Sequence, residues 1–140
     1  MGQNEILALL EQHHAAFARH DAPGLAEQHV ADGTFESPAV GLVKGREAIA
    51  QVYRYWFTAF PDMHFTWGPP LVDDGRAAVF WTLEGTVDGP FFGVPTRGTH
   101  VKVTGAGLYT FRDGGIASVS HIFDFSAMLM KAGILKARPA

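Results

Sequence analysis

Residues 45–72 read GREAIAQVYRYWFTAFPDMHFTWGPPLV, and the hydrophobic period changes inside this stretch. Up to Phe60 the large apolar residues Ile49, Val52, Tyr53, Trp56, Phe57 and Phe60 recur at three- and four-residue intervals, the spacing of one broad helical face. Pro61 has no N–H to continue the ladder and ends that helix. Beyond it, apolar residues fall at every second position, as on a half-buried strand. Pro61 therefore divides a helical part of the chain from a strand part.

Working upstream, Ile6, Leu10, His13 and Phe17 are spaced 4, 3 and 4, which puts a histidine inside the apolar stripe of a first helix. Asp21 as N-cap and Pro23 in the first turn open a short second helix running through Leu25 to about Val30. Residues 31–41, ADGTFESPAVG, supply a turn, a short extended piece and another turn. Downstream, MHFTWGPPLV (63–72), RAAVFWTLEGTV (76–87), HVKVTGAGLYTF (100–111) and IASVSHIFDF (116–125) read as successive strands. Asp73-Asp74-Gly75 and Asp113-Gly114-Gly115 are short hairpin turns, while the Gly- and Pro-rich residues 88–98, DGPFFGVPTRG, read as a longer joint. Residues 126–133, SAMLMKAG, form a closing helix with Asp124 or Ser126 as N-cap and Gly133 at its end. Helices followed by an antiparallel meander predict an α+β fold, a curved sheet wrapped round a helix and open at one edge as a cone-shaped pocket.

The 140 residues suit one domain, 1–140, with 47% hydrophobic and 18% charged residues. Eleven Lys plus Arg against fourteen Asp plus Glu give a formal charge of −3, so no basic face for nucleic acid or an anionic membrane is expected. The absence of cysteine removes thiolate chemistry and Cys-based zinc sites, and no H-x-x-x-H or H-E-x-x-H pair occurs, so no metal is expected. The N-terminus has neither the charged start nor the long apolar run of a signal peptide, which points to a cytoplasmic chain.

In the last strand Val119, His121, Phe123 and Phe125 share one face, so the His121 imidazole stands among apolar side chains. There it is either a proton shuttle, since an ordinary imidazole titrates near 6.5, or a hydrogen-bonded interior histidine. Asp124 faces the other way, as a partner for His121 only if the strand bends, or as a helix cap. His13 on the core face of the first helix needs a partner or a cavity, whereas His14, His20 and His29 are expected at the surface or at helix ends. Tyr53, Trp56 and Phe57 with Trp67, Trp81 and Tyr109 form an aromatic wall for a small hydrophobic molecule, or are simply core. Glu36 near the pocket mouth is an alternative base, and Arg97 is a candidate for an acidic substrate group. Gly105-Ala106-Gly107 lies within a strand and is no dinucleotide fingerprint; its glycines bend the sheet or keep the pocket wide.

Three segments carry a family resemblance in order: GREAIAQVYRYWFTAFPD (45–62), LEGTVDGPFFGVPTRG (83–98) and YTFRDGGIASV (109–119) with the following Asp and short helix. Together they make nearly the whole chain resemble the SnoaL-like polyketide cyclases of the nuclear-transport-factor-2-like superfamily. That resemblance implies the cone fold and cofactor-free acid/base catalysis on a small hydrophobic carbonyl compound, by aldol cyclisation, isomerisation or dehydration. It places His121 where the cyclases carry an acid/base Asp, and Asp124 at a second Asp of the pattern. Gly107 and Val87 stand where the family has histidines. Against the ketosteroid isomerases of the same superfamily, Ser37 stands at the catalytic Asp and His13 at the oxyanion-binding Tyr. The resemblance also implies a homodimer formed through the exposed face of the sheet. The loss of the usual Asp keeps a second class open, a non-catalytic ligand-binding or assembly module.

Overall fold

The computed structural model describes residues 1–136. Two helices lead, α1 (Gln3–Ala18) and α2 (Ala22–Glu27), followed by strands β1 (His29–Ser37) and β2 (Gly41–Lys44), then α3 (Arg46–Ala59). After Pro61 come β3 (His64–Trp67), β4 (Leu71–Asp73), β5 (Arg76–Phe91), β6 (Val94–Arg112) and β7 (Gly115–Phe123), and α4 (Phe125–Lys131) closes the described chain. The sheet order is β2-β1-β7-β6-β5-β3, with β4 also on β5. All pairs are antiparallel except β1 with β7. The α+β expectation holds: α1 buries Ile6, Leu10, His13, Ala16 and Phe17, and α3 buries Ile49, Val52 and Tyr53, in a common core with inward residues of the sheet.

Three joints are two-residue hairpin turns with positive φ at both positions, Asp74-Gly75, Phe92-Gly93 and Asp113-Gly114, the twist that antiparallel strands prefer. The middle one corrects the sequence reading, because residues 88–98 are the paired end of the long β5–β6 hairpin. Its breakers are absorbed: the register shifts between Val87 and Gly89, and Pro90 faces Pro95 one step from the closing pair Phe91–Val94. In a two-residue hairpin that second pair exchanges no ladder bonds, so a missing N–H costs nothing there. Two further elements differ. Residues 63–72 are two strands split at Gly68-Pro69-Pro70, and residues 29–44 are a full hairpin in place of a short extended piece. The second helix ends at Glu27, and β1 takes His29 and Val30. Asp21 caps α2 as expected, accepting from Gly24 N, and of the two candidates for α4 it is Asp124 that caps, accepting from Ala127 N.

Candidate functional site

The candidate site is the hollow between α3 and the concave face of the sheet. Its wall is aromatic and aliphatic, including Phe17, Phe35, Trp56, Phe57, Phe65 and Phe123, and its polar members are Ser37, Tyr53, Trp81 and His121. Among the described residues no charged side chain lines it. The cavity holds about 60 Å³, room for a few water-sized molecules as the rings stand. Trp56, Phe57, Phe65 and Phe123 are the half-buried rings of this wall.

His121 points inward from β7, as alternation with Val119 predicts, and is 8% exposed. The glycines of β6 make its seat. Gly107 pairs with His121, and a Cβ there would lie 2.9 Å from the imidazole Cε1 and Nδ1. A Cβ at Gly105 would lie 2.6 Å from Cζ2 of Trp81. The two glycines thus let an imidazole and an indole lie flat on the strand, which is why glycines alternate with Ala106 at this point. The Trp81 indole N–H donates to His121 Nδ1 at 3.1 Å. Indole nitrogen is a donor only, so Nδ1 must be the lone-pair nitrogen and the ring proton must sit on Nε2. Burial, and secondarily the His13 imidazole, lower the His121 pKa from 6.5 to about 3, so the ring is neutral. The neutral ring offers Nε2–H as a donor.

Ser37 is a second donor that the sequence reading passed over as a failed match to a catalytic carboxylate. Its Oγ accepts from the N–H groups of Ala39 and Val40 at 3.3 Å each, leaving its own proton free. The parallel register Phe35↔Val119 and Glu36↔Ser120 carries Ser37 alongside His121. The signal was the alternation of Phe35 with Ser37 on one face of β1. Tyr53 is the third polar group, its hydroxyl 2.9 Å from Nε2 of His29. Burial raises the Tyr53 pKa well above the ordinary 10, keeping the phenol protonated.

The remaining candidates divide. Trp56, Phe57 and Trp81 line the hollow with Tyr53. Tyr109 is fully buried one layer behind, its ring centroid 6.1 Å from that of His121. His13 is also behind the wall, with Nδ1 2.6 Å from Gln28 Oε1 and a pKa lowered to about 4, chiefly by burial. Asp124 is exposed and spends its carboxylate on the α4 cap, so it is not brought to His121. Glu36 points outward between inward-facing Phe35 and Ser37, and Arg97 is exposed on the β5–β6 hairpin; neither lines the hollow. His29 is the clearest correction among the histidines: it is fully buried, because β1 begins at it and turns it inward. His14 and His20 are half-buried and reach across to the carbonyls of Phe65 and Met63. Among the described residues no group of three or more His, Asp or Glu is placed to hold a metal ion, and no helix is long and apolar enough to cross a membrane.

Similar solved structures share this architecture. AclR of Streptomyces galilaeus superposes with a TM-score of 0.83 at 23% identity, over 99% of this chain and 91% of that one. A Catenulispora acidiphila protein with a ketosteroid isomerase-like fold, crystallised with trimethylamine, gives 0.77 at 21%, over 91% and 93%. A protein of Jannaschia sp. CCS1 provisionally named a SnoaL-like polyketide cyclase gives 0.77 at 24%, over 92% and 93%. No curated protein is significantly similar in sequence. The sequence model of the SnoaL-like domain matches residues 10–119, from the first helix to the strand of His121. With that match and the cone-shaped, nuclear-transport-factor-2-like fold, the chain belongs to the SnoaL-like domain family.

Proposed function

We propose that the hollow binds a small hydrophobic carbonyl compound and that His121 supplies the acid half of acid/base chemistry on it. The supporting observation is the Trp81–His121 hydrogen bond, which occupies Nδ1 and leaves Nε2–H for the guest. A carbonyl oxygen accepting from Nε2–H, with the Ser37 hydroxyl as second donor, is stabilised as it gains charge. With Nδ1 occupied and a conjugate-acid pKa of about 3, the imidazole is a poor base. The proton leaving the adjacent carbon goes instead to water or to a basic oxygen of the substrate and returns from there to the product, while Nε2–H stabilises the enolate oxygen by hydrogen bonding and keeps its own proton. Aldol cyclisation, isomerisation and dehydration all pass through such an enolate. These steps use Nε2–H, the Ser37 hydroxyl and a proton acceptor from water or the substrate itself, and the reading needs no cofactor.

The test is a thermal-shift screen of hydrophobic ketones, diketones and quinones, followed by product analysis of the hits. A compound that is bound and converted, with turnover lost in His121→Ala, is the expected result. Failure of all such compounds to bind, or unchanged turnover in His121→Ala, overturns the reading. A second reading, a ligand-binding module, is favoured by the lack of any carboxylate in the cavity wall among the described residues; it predicts binding without conversion. We further propose that the chain pairs with a second copy through the outer sheet face, where Phe80, Leu108 and Ile122 are 60%, 47% and 71% exposed.

A further inference from the structure

Behind the cavity wall, His13 of α1, His29 of β1, Trp67 of β3 and Tyr109 of β6 each hold one fully buried polar atom without a protein partner among the described residues. They are His13 Nε2, His29 Nδ1, Trp67 Nε1 and the Tyr109 hydroxyl. The four come from different elements, yet three of them surround the imidazole of the fourth, His13. The ring centroids of His29, Trp67 and Tyr109 lie 5.8, 6.1 and 6.1 Å from that of His13. An isolated orphan is an ordinary packing defect, but native interiors satisfy nearly all their polar groups, and four orphans around one point call for a shared partner.

Their chemistry says which partner. The Gln28 carbonyl oxygen takes the Nδ1 proton of His13, so His13 Nε2 is a bare acceptor. Trp67 Nε1 only donates, and the Tyr109 hydroxyl does both. His29 Nδ1 donates or accepts according to whether Tyr53 gives or takes the proton at Nε2. Donors and acceptors are mixed and every group is neutral, with burial holding His13 and His29 uncharged. A cation would meet the donor-only indole, and an anion would find no charge to balance it. A molecule that donates two bonds and accepts two fits the set.

We infer that these four atoms share an internal water site behind the wall of the apolar cavity. His29 joins the two compartments, with Nδ1 in the water site and Nε2 on the hydroxyl of cavity-lining Tyr53. Tyr53 is thereby backed by a group that can exchange its proton without opening the cavity.

The test pairs a high-resolution crystal structure with the melting temperature of Tyr109→Phe, which deletes only the hydroxyl. Expected are ordered water density within hydrogen-bond distance of at least three of the four atoms, and a melting temperature lowered by about 3 °C as the water loses a partner. Direct bonding of the four groups to one another without density overturns the inference. So does an unchanged or raised melting temperature, the result of deleting a hydroxyl that had no partner. Should Tyr109→Phe not fold, magnetisation transfer from a long-lived water to the Trp67 indole proton in the wild-type chain decides: its presence supports the site and its absence overturns it.

Discussion

Gly107 and His121 face each other across the β6–β7 ladder, and the imidazole occupies the space that any side chain at 107 would need. Gly107→Ala brings a methyl to 2.9 Å from two ring atoms that are boxed in by Trp81, Phe35 and Tyr109. The ring must tilt off its seat, at a cost of about 1–3 kcal/mol. We expect a lower urea midpoint and loss of the Trp81 bond. Gly114→Ala, at a turn with open space around it, loses stability only through its positive φ and keeps that bond. Equal effects on the His121 ring from both variants would contradict the assignment.

The tautomer of His121 is directly observable. Nitrogen NMR of the wild-type chain should show His121 protonated on Nε2 and bare on Nδ1 at neutral pH. Trp81→Phe, which keeps a ring on Gly105 but removes the donor, should release the ring to a mixture of tautomers and weaken ligand binding more than Trp56→Phe does. A wild-type ring protonated on Nδ1 would refute the donor role.

Acid should unfold the chain through its interior. The pKa values of His13, His29 and His121 are lowered, chiefly by burial, from 6.5 to about 4, 3 and 3. The unfolded chain therefore binds protons below pH 6.5 that the folded chain refuses. Their contribution is fully present above 6.5 and drains away as the pH falls, towards 4 for His13 and towards 3 for His29 and His121. Each buried histidine steepens the loss by about 1.4 kcal/mol per pH unit, roughly 4 for the three together. Urea midpoints should be level from pH 8 to 7 and drop sharply between 6 and 5, with a shallower drop in His121→Gln. A midpoint as high at pH 5 as at pH 7 would disprove this account.

Asp124→Ala removes the cap of α4, at a cost of about 1 kcal/mol, and should leave ligand affinity at the cavity unchanged. Glu36→Gln and Arg97→Ala should change neither binding nor folding measurably, since both side chains are exposed and outside the cavity. A large loss of binding in any of the three would restore that residue to the site.

Ile122→Arg places a charge at the centre of the outer sheet face. Light scattering should give twice the chain mass for the wild type and the single-chain mass for the variant. A monomeric wild type would remove the proposed pairing.

The α+β layout was readable from the change of period at Pro61, and the inward face of His121 from the alternation of Val119 with Phe123. Local chemistry also marked the caps at Asp21 and Asp124. What escaped were features made by distant partners. Gly89, Pro90 and Pro95 read as a loop because breakers mark loops on average, and only the opposing strand shows that this pair of prolines sits where no N–H is needed. His29 read as a helix end because its burial depends on β1 lying beside β7, more than eighty residues on. Gly105 and Gly107 read as pliancy in the sheet, and their purpose is visible only with the rings of Trp81 and His121 laid over them. Ser37 was legible in pattern but discounted, because the comparison sought a carboxylate and the site offers a proton donor.

The strand bearing His121 comes last among the strands in sequence, yet it lies between β1 and β6 within the sheet. A nascent chain still lacking residues 115–123 has two unfilled edges, β1 and β6, and no cavity. Closure therefore waits until residues 115–123 have left the ribosome, and chains cut short before them would display both edges to any neighbouring strand. The arrival of one β-strand thus completes the cavity and covers both open edges in a single step.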